Sequence, residues 1–119
     1  MASKTKTREI TLVDEKGTFS LLFKRLYGEK EELNFDGLAA LRTVLSNEKA
    51  RILHTVKTKS PISIYHLAKI LGRDFKSVND DVKLLERFGF IELVSEKTGK
   101  RHRLKPVLSV DSIKIEIKV

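Results

Sequence analysis

Between residues 62 and 93 the sequence sets two apolar stripes of helical period on either side of a three-residue break and follows them with an alternating run. Ser63 is placed to cap a helix whose Ile64, Leu67, Ala68 and Leu71 recur at i, i+3, i+4 and i+7. Gly72 then supplies a position that tolerates positive φ, Arg73 follows, and Asp74 stands where the next N-cap belongs. The second helix, over 75–88, sets Phe75, Val78, Val82 and Leu85 on one side with Phe88 near the edge of that stripe. Its other side carries Lys76, Asn79, Asp80, Lys83 and Arg87. Gly89 ends it, FIELV over 90–94 alternates like a strand, and the turn-rich EKTGK leads into RHRLKPV.

Helix, turn, helix with a polar outer face, then a hairpin with a basic tip, is the arrangement of a winged helix-turn-helix. The run LAKILGRDFKSVNDDVKLLERFGFIEL resembles the DNA-binding core of MarR-like and ArsR-like regulators. It is especially similar to small predicted archaeal and bacterial transcriptional regulators in which SIYxLAxxLGRDxxxVxxDxxxLExxGxIEL precedes a basic hairpin and a proline. Here that pattern runs from Ser63 through Arg73, Asp81 and Gly89 to Leu93. The resemblance covers 46–119 well and the first third only loosely, and it implies a DNA reader that pairs with its own copy.

The expected fold class is mainly α with a small β-hairpin wing (α+β), with N- and C-terminal strands and an N-terminal helix added. Three segments are expected: a disordered basic tail at 1–7, a strand and amphipathic helix at 8–36, and the winged helix-turn-helix domain with a C-terminal strand at 37–119. A chain of 119 residues, 40% hydrophobic, suits one modest core. No apolar run approaches bilayer length and MASKTKTRE lacks the apolar segment of a signal peptide, so a cytoplasmic protein without membrane contact is expected. The absence of cysteine excludes disulfides and thiolate metal sites. His54, His66 and His102 have no ligand spacing, so neither metal nor cofactor is expected.

Charge is unevenly spread. Residues 1–36 hold seven basic and seven acidic side chains, while 37–119 hold seventeen and nine, so the whole net charge of +8 lies in the part resembling a DNA reader.

In chain order, REITLV alternates Ile10 and Leu12 against Thr11, a short strand bounded by the turn-like DEKG. Phe19, Leu22, Phe23, Leu26 and Tyr27 then recur at helical spacing up to Gly28. Burying side chains of this size stabilises by roughly 1.5 to 3 kcal/mol each, so this face must cover the core of its own subunit or meet its copy in a second. GEKEELN reads as an acidic connector, and Asp36 can cap a short helix with Leu38, Leu41 and Leu45 inward. Another helix begins at Ser46, with Ala50, Leu53 and Val56 as its stripe and Ile52 adding to it, and stops before Ser60-Pro61. At the end, Ile113, Ile115, Ile117 and Val119 alternate with Lys114, Glu116 and Lys118, a strand with one apolar face that can pair with REITLV or with a dimer mate. The expected dimer interface is drawn from Ile10, Leu12, Phe19, Leu22, Phe23, Leu26, Ile113, Ile115 and Ile117.

If the helix over 75–88 enters a major groove, Lys76, Ser77, Asn79, Lys83 and Arg87 reach base edges or phosphates. Asp80 can accept from a cytosine amino group or, the favoured reading, hold Lys76 and Lys83 at i, i+3 and i, i+4 spacing, and Asp81 is expected to make a structural ion pair or cap. Phe75, Phe88 and Phe90 read as core. Lys97, Lys100, Arg101, His102, Arg103 and Lys105 form the densest basic run, suited to the backbone or minor groove; strand alternation lets about half of them meet DNA at once. Arg73, Ser63 and Tyr65 are placed to meet phosphates, with packing against the hairpin as the other reading of Tyr65.

The function expected is therefore that of a homodimeric, sequence-specific regulator of double-stranded DNA. A winged-helix protein-interaction module, or an antitoxin-like partner of another protein, is the alternative. No Gly-rich phosphate loop, nucleophile with a spaced base or paired carboxylate suggests an enzyme.

Overall fold

The structure, a computed structural model, describes residues 6–15, 17–24 and 30–119. Among them run ten elements: β1 (Thr7–Glu15), β2 (Thr18–Lys24), β3 (Lys30–Asp36), α1 (Gly37–Val44), α2 (Asn47–Lys59), α3 (Ile64–Leu71), α4 (Phe75–Arg87), β4 (Ile91–Thr98), β5 (Arg101–Leu108) and β6 (Ser112–Lys118). The fold is α+β, in two compact units. The described residues up to Leu45 and from Val110 to Val119 form the first, which holds α1 and β6, and Ser46–Ser109 forms the second.

The first unit is a four-stranded sheet in the order β3-β2-β1-β6, with α1 against β2 and β3. β1 and β6 are parallel although 105 positions separate their first residues, with Ile10 beside Ile115 and Leu12 beside Ile117. This is one of the two pairings that the period of two left open. Thr7, expected in a disordered tail, begins β1, and Lys6 just before it is tied to the start of β6: its carbonyl accepts from the N–H groups of Asp111 at 2.8 Å and Ser112 at 3.3 Å. Residues 1–5 lie outside the described residues.

The expected amphipathic helix is instead a strand. β2 runs antiparallel to β1 from Glu15↔Thr18 to Ile10↔Phe23, which puts Phe19, Leu22 and Phe23 in a sheet; Leu26 and Tyr27 lie outside the described residues. The reason is local. Glu15 opposing Thr18 leaves two positions for the turn, Gly17 takes φ +86°, and its N–H donates to Asp14 Oδ1 at 2.9 Å. A hairpin closed so tightly forces the following apolar run to pair. The supposed acidic connector likewise contributes β3.

Two further expectations about buried faces change. Ile10 and Leu12 are fully buried within the chain, so they are core rather than contact surface. In α1, Leu41 and Val44 are buried, whereas Leu45 lies past the helix end and is exposed.

The second unit places α2 and α3 against β5 and α4 against β4. Its core is Ile52, Val56, Ile64, Leu67, Ala68, Val78, Val82, Leu85, Phe88, Phe90 and Ile91, with the rings of Phe88 and Phe90 5.9 Å apart. The caps at Ser63 and Asp74 are those the sequence signals, and Ser46 is a third. Ser46 Oγ accepts from Lys49 N, Ser63 Oγ from His66 N and Asp74 Oδ2 from Ser77 N, each satisfying an otherwise unpaired helix N–H. Gly72 (φ +66°) and Gly89 (φ +80°) end α3 and α4 in left-handed turns closed by Arg73 N→Ala68 O and Phe90 N→Leu85 O. β4 extends past the expected FIELV to Thr98, and the hairpin turns at Gly99, where φ is +63°.

The buried stripe of α2 is rotated from the expected Ala50–Leu53–Val56. Ala50 is exposed and Lys49 is buried beside Ile52, Thr55 and Val56. An ammonium can sit there because Asp81 meets it at 3.2 Å.

Candidate functional site

Asp81, on α4, gathers cations from two other segments. Its Oδ1 lies 3.2 Å from Lys49 Nζ of α2 and its Oδ2 lies 3.0 Å from Arg73 Nη2 in the α3–α4 turn; Glu48 stands 3.8 Å from the same guanidinium nitrogen. Asp81 is thus the structural ion-pair partner that its place near the apolar side suggested. Arg73 Nη1 and Asp81 Oδ2 are buried without a hydrogen bond, so the 3.0 Å contact is an ion pair lacking hydrogen-bond alignment. Arg73, expected to meet phosphate, is half-buried and engaged with carboxylates; its physical role here is to fix the turn.

With that turn held, α4 presents Lys76, Asp80, Lys83 and Arg87 as an exposed stripe at i, i+4, i+7 and i+11, flanked by the half-buried Ser77 and Asn79. Asp80 makes no ion pair with Lys76 or Lys83, which corrects the expectation that it restrains them; the spacing permits a pair, but all three side chains are exposed and water competes for them. Asp74 is held below the usual carboxylate range by the hydrogen bond from the Ser77 N–H, then by the Ser77 hydroxyl, with Arg73 adding attraction.

Strand register sorts the basic run of the hairpin. Thr98↔Arg101, Glu96↔Arg103 and Val94↔Lys105 are opposite pairs, so Arg101, Arg103 and Lys105 share one face. Lys97 and His102 oppose one another on the other face, and Lys100 sits in the turn beside Gly99. Lys97, Lys100, Arg101 and His102 are exposed, and none of the six basic side chains forms an ion pair among the described residues. Residues 46–109 hold fourteen basic and seven acidic side chains, so this unit carries seven of the eight net positive charges.

At the other end of α3, Ser63 Oγ accepts from His66 N at 3.0 Å while His66 Nδ1 accepts from Ile62 N at 3.1 Å. This reciprocal cap leaves the Ser63 hydroxyl proton available as a donor. Tyr65 is 59% exposed, with its ring 6.4 Å from Phe75 and Lys69 Nζ 5.0 Å over its face. Phe75, expected in the core, is 47% exposed. It is the first residue of α4, and a helical side chain tilts toward the N-terminus, here past the end of the packed face. The exposed pair Tyr65–Phe75 is therefore a surface feature that the periodicity did not reveal; its signal is the aromatic at the first helical position.

Grooves open to solvent lie among the described residues. One, between α2 and α3, is lined by Asn47, Ala50, Arg51, His54, Thr55, Ile70 and Leu71, and another by Val56, Lys57, Ser60 and residues 105–108. Among the described residues no three His, Asp or Glu side chains come together as metal ligands, and no helix is long and apolar enough to cross a membrane. The family model HVO_A0114 matches residues 44–115. No curated protein matches the chain.

Proposed function

The chain belongs to the HVO_A0114 family over residues 44–115, from the end of α1 into β6, and from the geometry of the part it covers we propose that it is a double-stranded DNA-binding transcriptional regulator of the MarR-like or ArsR-like winged helix-turn-helix kind. The observation that carries this reading is the pairing, within one unit of net positive charge, of an exposed Lys76–Lys83–Arg87 stripe on α4 with an exposed hairpin tip of Lys97, Lys100, Arg101 and His102. In this reading α4 enters the major groove and Lys76, Ser77, Asn79 and Lys83 meet base edges. Lysine suits guanine acceptors, asparagine suits adenine, and Phe75 can touch a thymine methyl beside them. The β4–β5 hairpin is the wing, and the face of Arg101, Arg103 and Lys105 follows the phosphates or enters the minor groove. Two copies would read half-sites one helical turn apart and act by occlusion or recruitment at a promoter.

Selection of bound duplexes from a random library at two salt concentrations tests it. The expected result is one enriched sequence with two-fold symmetry and binding that weakens steeply with salt. Absence of salt-sensitive duplex binding would overturn the reading. A second reading, an adaptor for another protein, is favoured by one observation, the exposed Tyr65–Phe75 pair. Salt-insensitive capture of a protein partner, abolished by Tyr65→Ala, would favour it.

A further inference from the structure

The two free edges of the sheet differ. β3 carries Lys30, Glu31, Glu32 and Asp36, and its pairing with β2 shifts register between Ser20 and Leu21. Charge and irregularity are the usual means of blunting an edge. β6 has an unbroken register with β1 from Ser112 to Lys118, and its apolar residues lie beside the buried Ile10 and Leu12, yet Ile115 is 41% and Ile117 52% exposed. The core face of the sheet thus runs out to its edge uncovered.

We propose that a second copy of this chain occupies that edge, with the two β6 strands antiparallel about a two-fold axis at Ile115, joining both sheets into one. This rests on the two-copy part of the function proposed above and names its interface. Three observations select the occupant and the register. First, the phase of the hydrogen bonds fits. Ser112 N–H points to β1, where it meets the Lys6 carbonyl at 3.3 Å, so by alternation Ile113, Ile115 and Ile117 turn their N–H and C=O groups to the free edge. Pairing Ile115 with Ile115, and Ile113 with Ile117, then forms about six main-chain hydrogen bonds.

Second, the charges complement one another. This register sets Lys114 opposite Glu116 of the second copy, twice, on the other face of the sheet. Moving the pairing by two residues brings Glu116 opposite Glu116 and Lys114 opposite Lys118, or else Lys114 opposite Lys114. Moving it by one sets isoleucine against charge. Third, the length matches: Ile115 is the midpoint of Ser112–Lys118, so every residue of β6 is paired. A shift of four residues also pairs Glu116 with Lys118 but leaves only the last few positions in contact. The contact of Glu116 with Lys118 at 3.7 Å within one chain is between exposed groups and does not block this pairing.

Sedimentation equilibrium of the full chain without DNA, with single substitutions and their mixture, tests the register. The wild type is expected at twice 13.6 kDa. Lys114→Glu alone and Glu116→Lys alone each place like charges opposite one another and should weaken association at least about ten-fold. An equimolar mixture of the two restores opposite charges in the mixed dimer and should recover the wild-type mass. Both side chains are exposed, so folding is not at stake. Because the chain has no cysteine, Lys114→Cys mixed with Glu116→Cys gives a second readout: oxidation should yield mixed disulfide dimers in excess over either protein alone. A monomeric wild type, or a mixture no better than its components, overturns the interface. A monomer that still enriches one DNA sequence would remove only this interface, whereas a dimer meeting the mixing test but not binding duplex would remove only the DNA reading.

Discussion

Asp81→Ala removes the one carboxylate shared by Lys49 and Arg73. The Lys49 side chain is 10% exposed, Asp81 16% and Arg73 27%, and the two contacts are 3.2 and 3.0 Å. Deleting one member of a fully buried ion pair costs about 3 to 5 kcal/mol, because the partner left behind is neither solvated nor neutralised. Here the guanidinium retains some water and Glu48 at 3.8 Å, while the ammonium retains little. The expected loss is therefore about 2 to 3 kcal/mol, intermediate between the buried case and the 0 to 1 kcal/mol of a surface pair. With a urea dependence of about 2 kcal/mol per molar, the unfolding midpoint falls by roughly 1 to 1.5 M. Urea unfolding followed by circular dichroism reads it. A double-mutant cycle with Lys49→Met should show coupling, because methionine removes the charge that Asp81→Ala strands. A loss under about 0.5 kcal/mol, or additive single effects, would refute the reasoning and make the cluster a solvated surface feature.

Lys83→Ala and Asn79→Ala should change which sequence is preferred, while Arg101→Ala with Arg103→Ala should weaken binding to all sequences and reduce the salt slope by roughly 0.9 for each lost phosphate contact; binding isotherms on selected and random duplexes separate the two effects. Gly72→Ala meets no atom within 4 Å but must hold φ near +66°, so thermal unfolding should show a loss of about 1 to 2 kcal/mol from backbone strain alone. Asp74 has its folded pKa lowered, so its capping contribution is present above its unfolded pKa and lost as pH falls through the folded value. An acid titration should find that Asp74→Asn flattens that limb of the stability curve while leaving a functional cap at neutral pH.

The caps were legible because they are local. A serine or aspartate three residues before the N–H it accepts from, and a glycine just past the last turn, need no knowledge of the rest of the chain. For the same reason the bounds of the two helices between Ser63 and Gly89 could be read, whereas the strand after them runs on past the expected FIELV to Thr98. The run FSLLF was not legible, because Phe19 and Phe23 fit both a helical period and, with Leu21, a period of two. What decides is the turn before it, where Asp14 receives Gly17 N–H and closes a hairpin. Arg73, expected to meet phosphate, and the burial of Lys49 depend instead on tertiary contacts: both side chains meet Asp81, eight and 32 positions away, and a buried cation is unreadable until its counter-charge is located. On the candidate site, α4 and the hairpin tip stood out through charge, whereas the exposed Tyr65–Phe75 pair was hidden because aromatics in an amphipathic helix are ordinarily core.

The parallel pairing of β1 with β6 imposes an order of assembly. Residues 46–109 are contiguous, and each of their contacts can close as soon as that stretch has been synthesised. The sheet of the other unit can close only when residues 112–118 have followed, more than a hundred positions after β1 emerged. During that interval β1 has β2 on one side and an unpaired edge on the other, lined by Ile10 and Leu12. The nascent protein is therefore exposed to strand addition by foreign segments at that edge until its own last strand arrives, and truncation within 112–118 should convert the finished protein back into that vulnerable state.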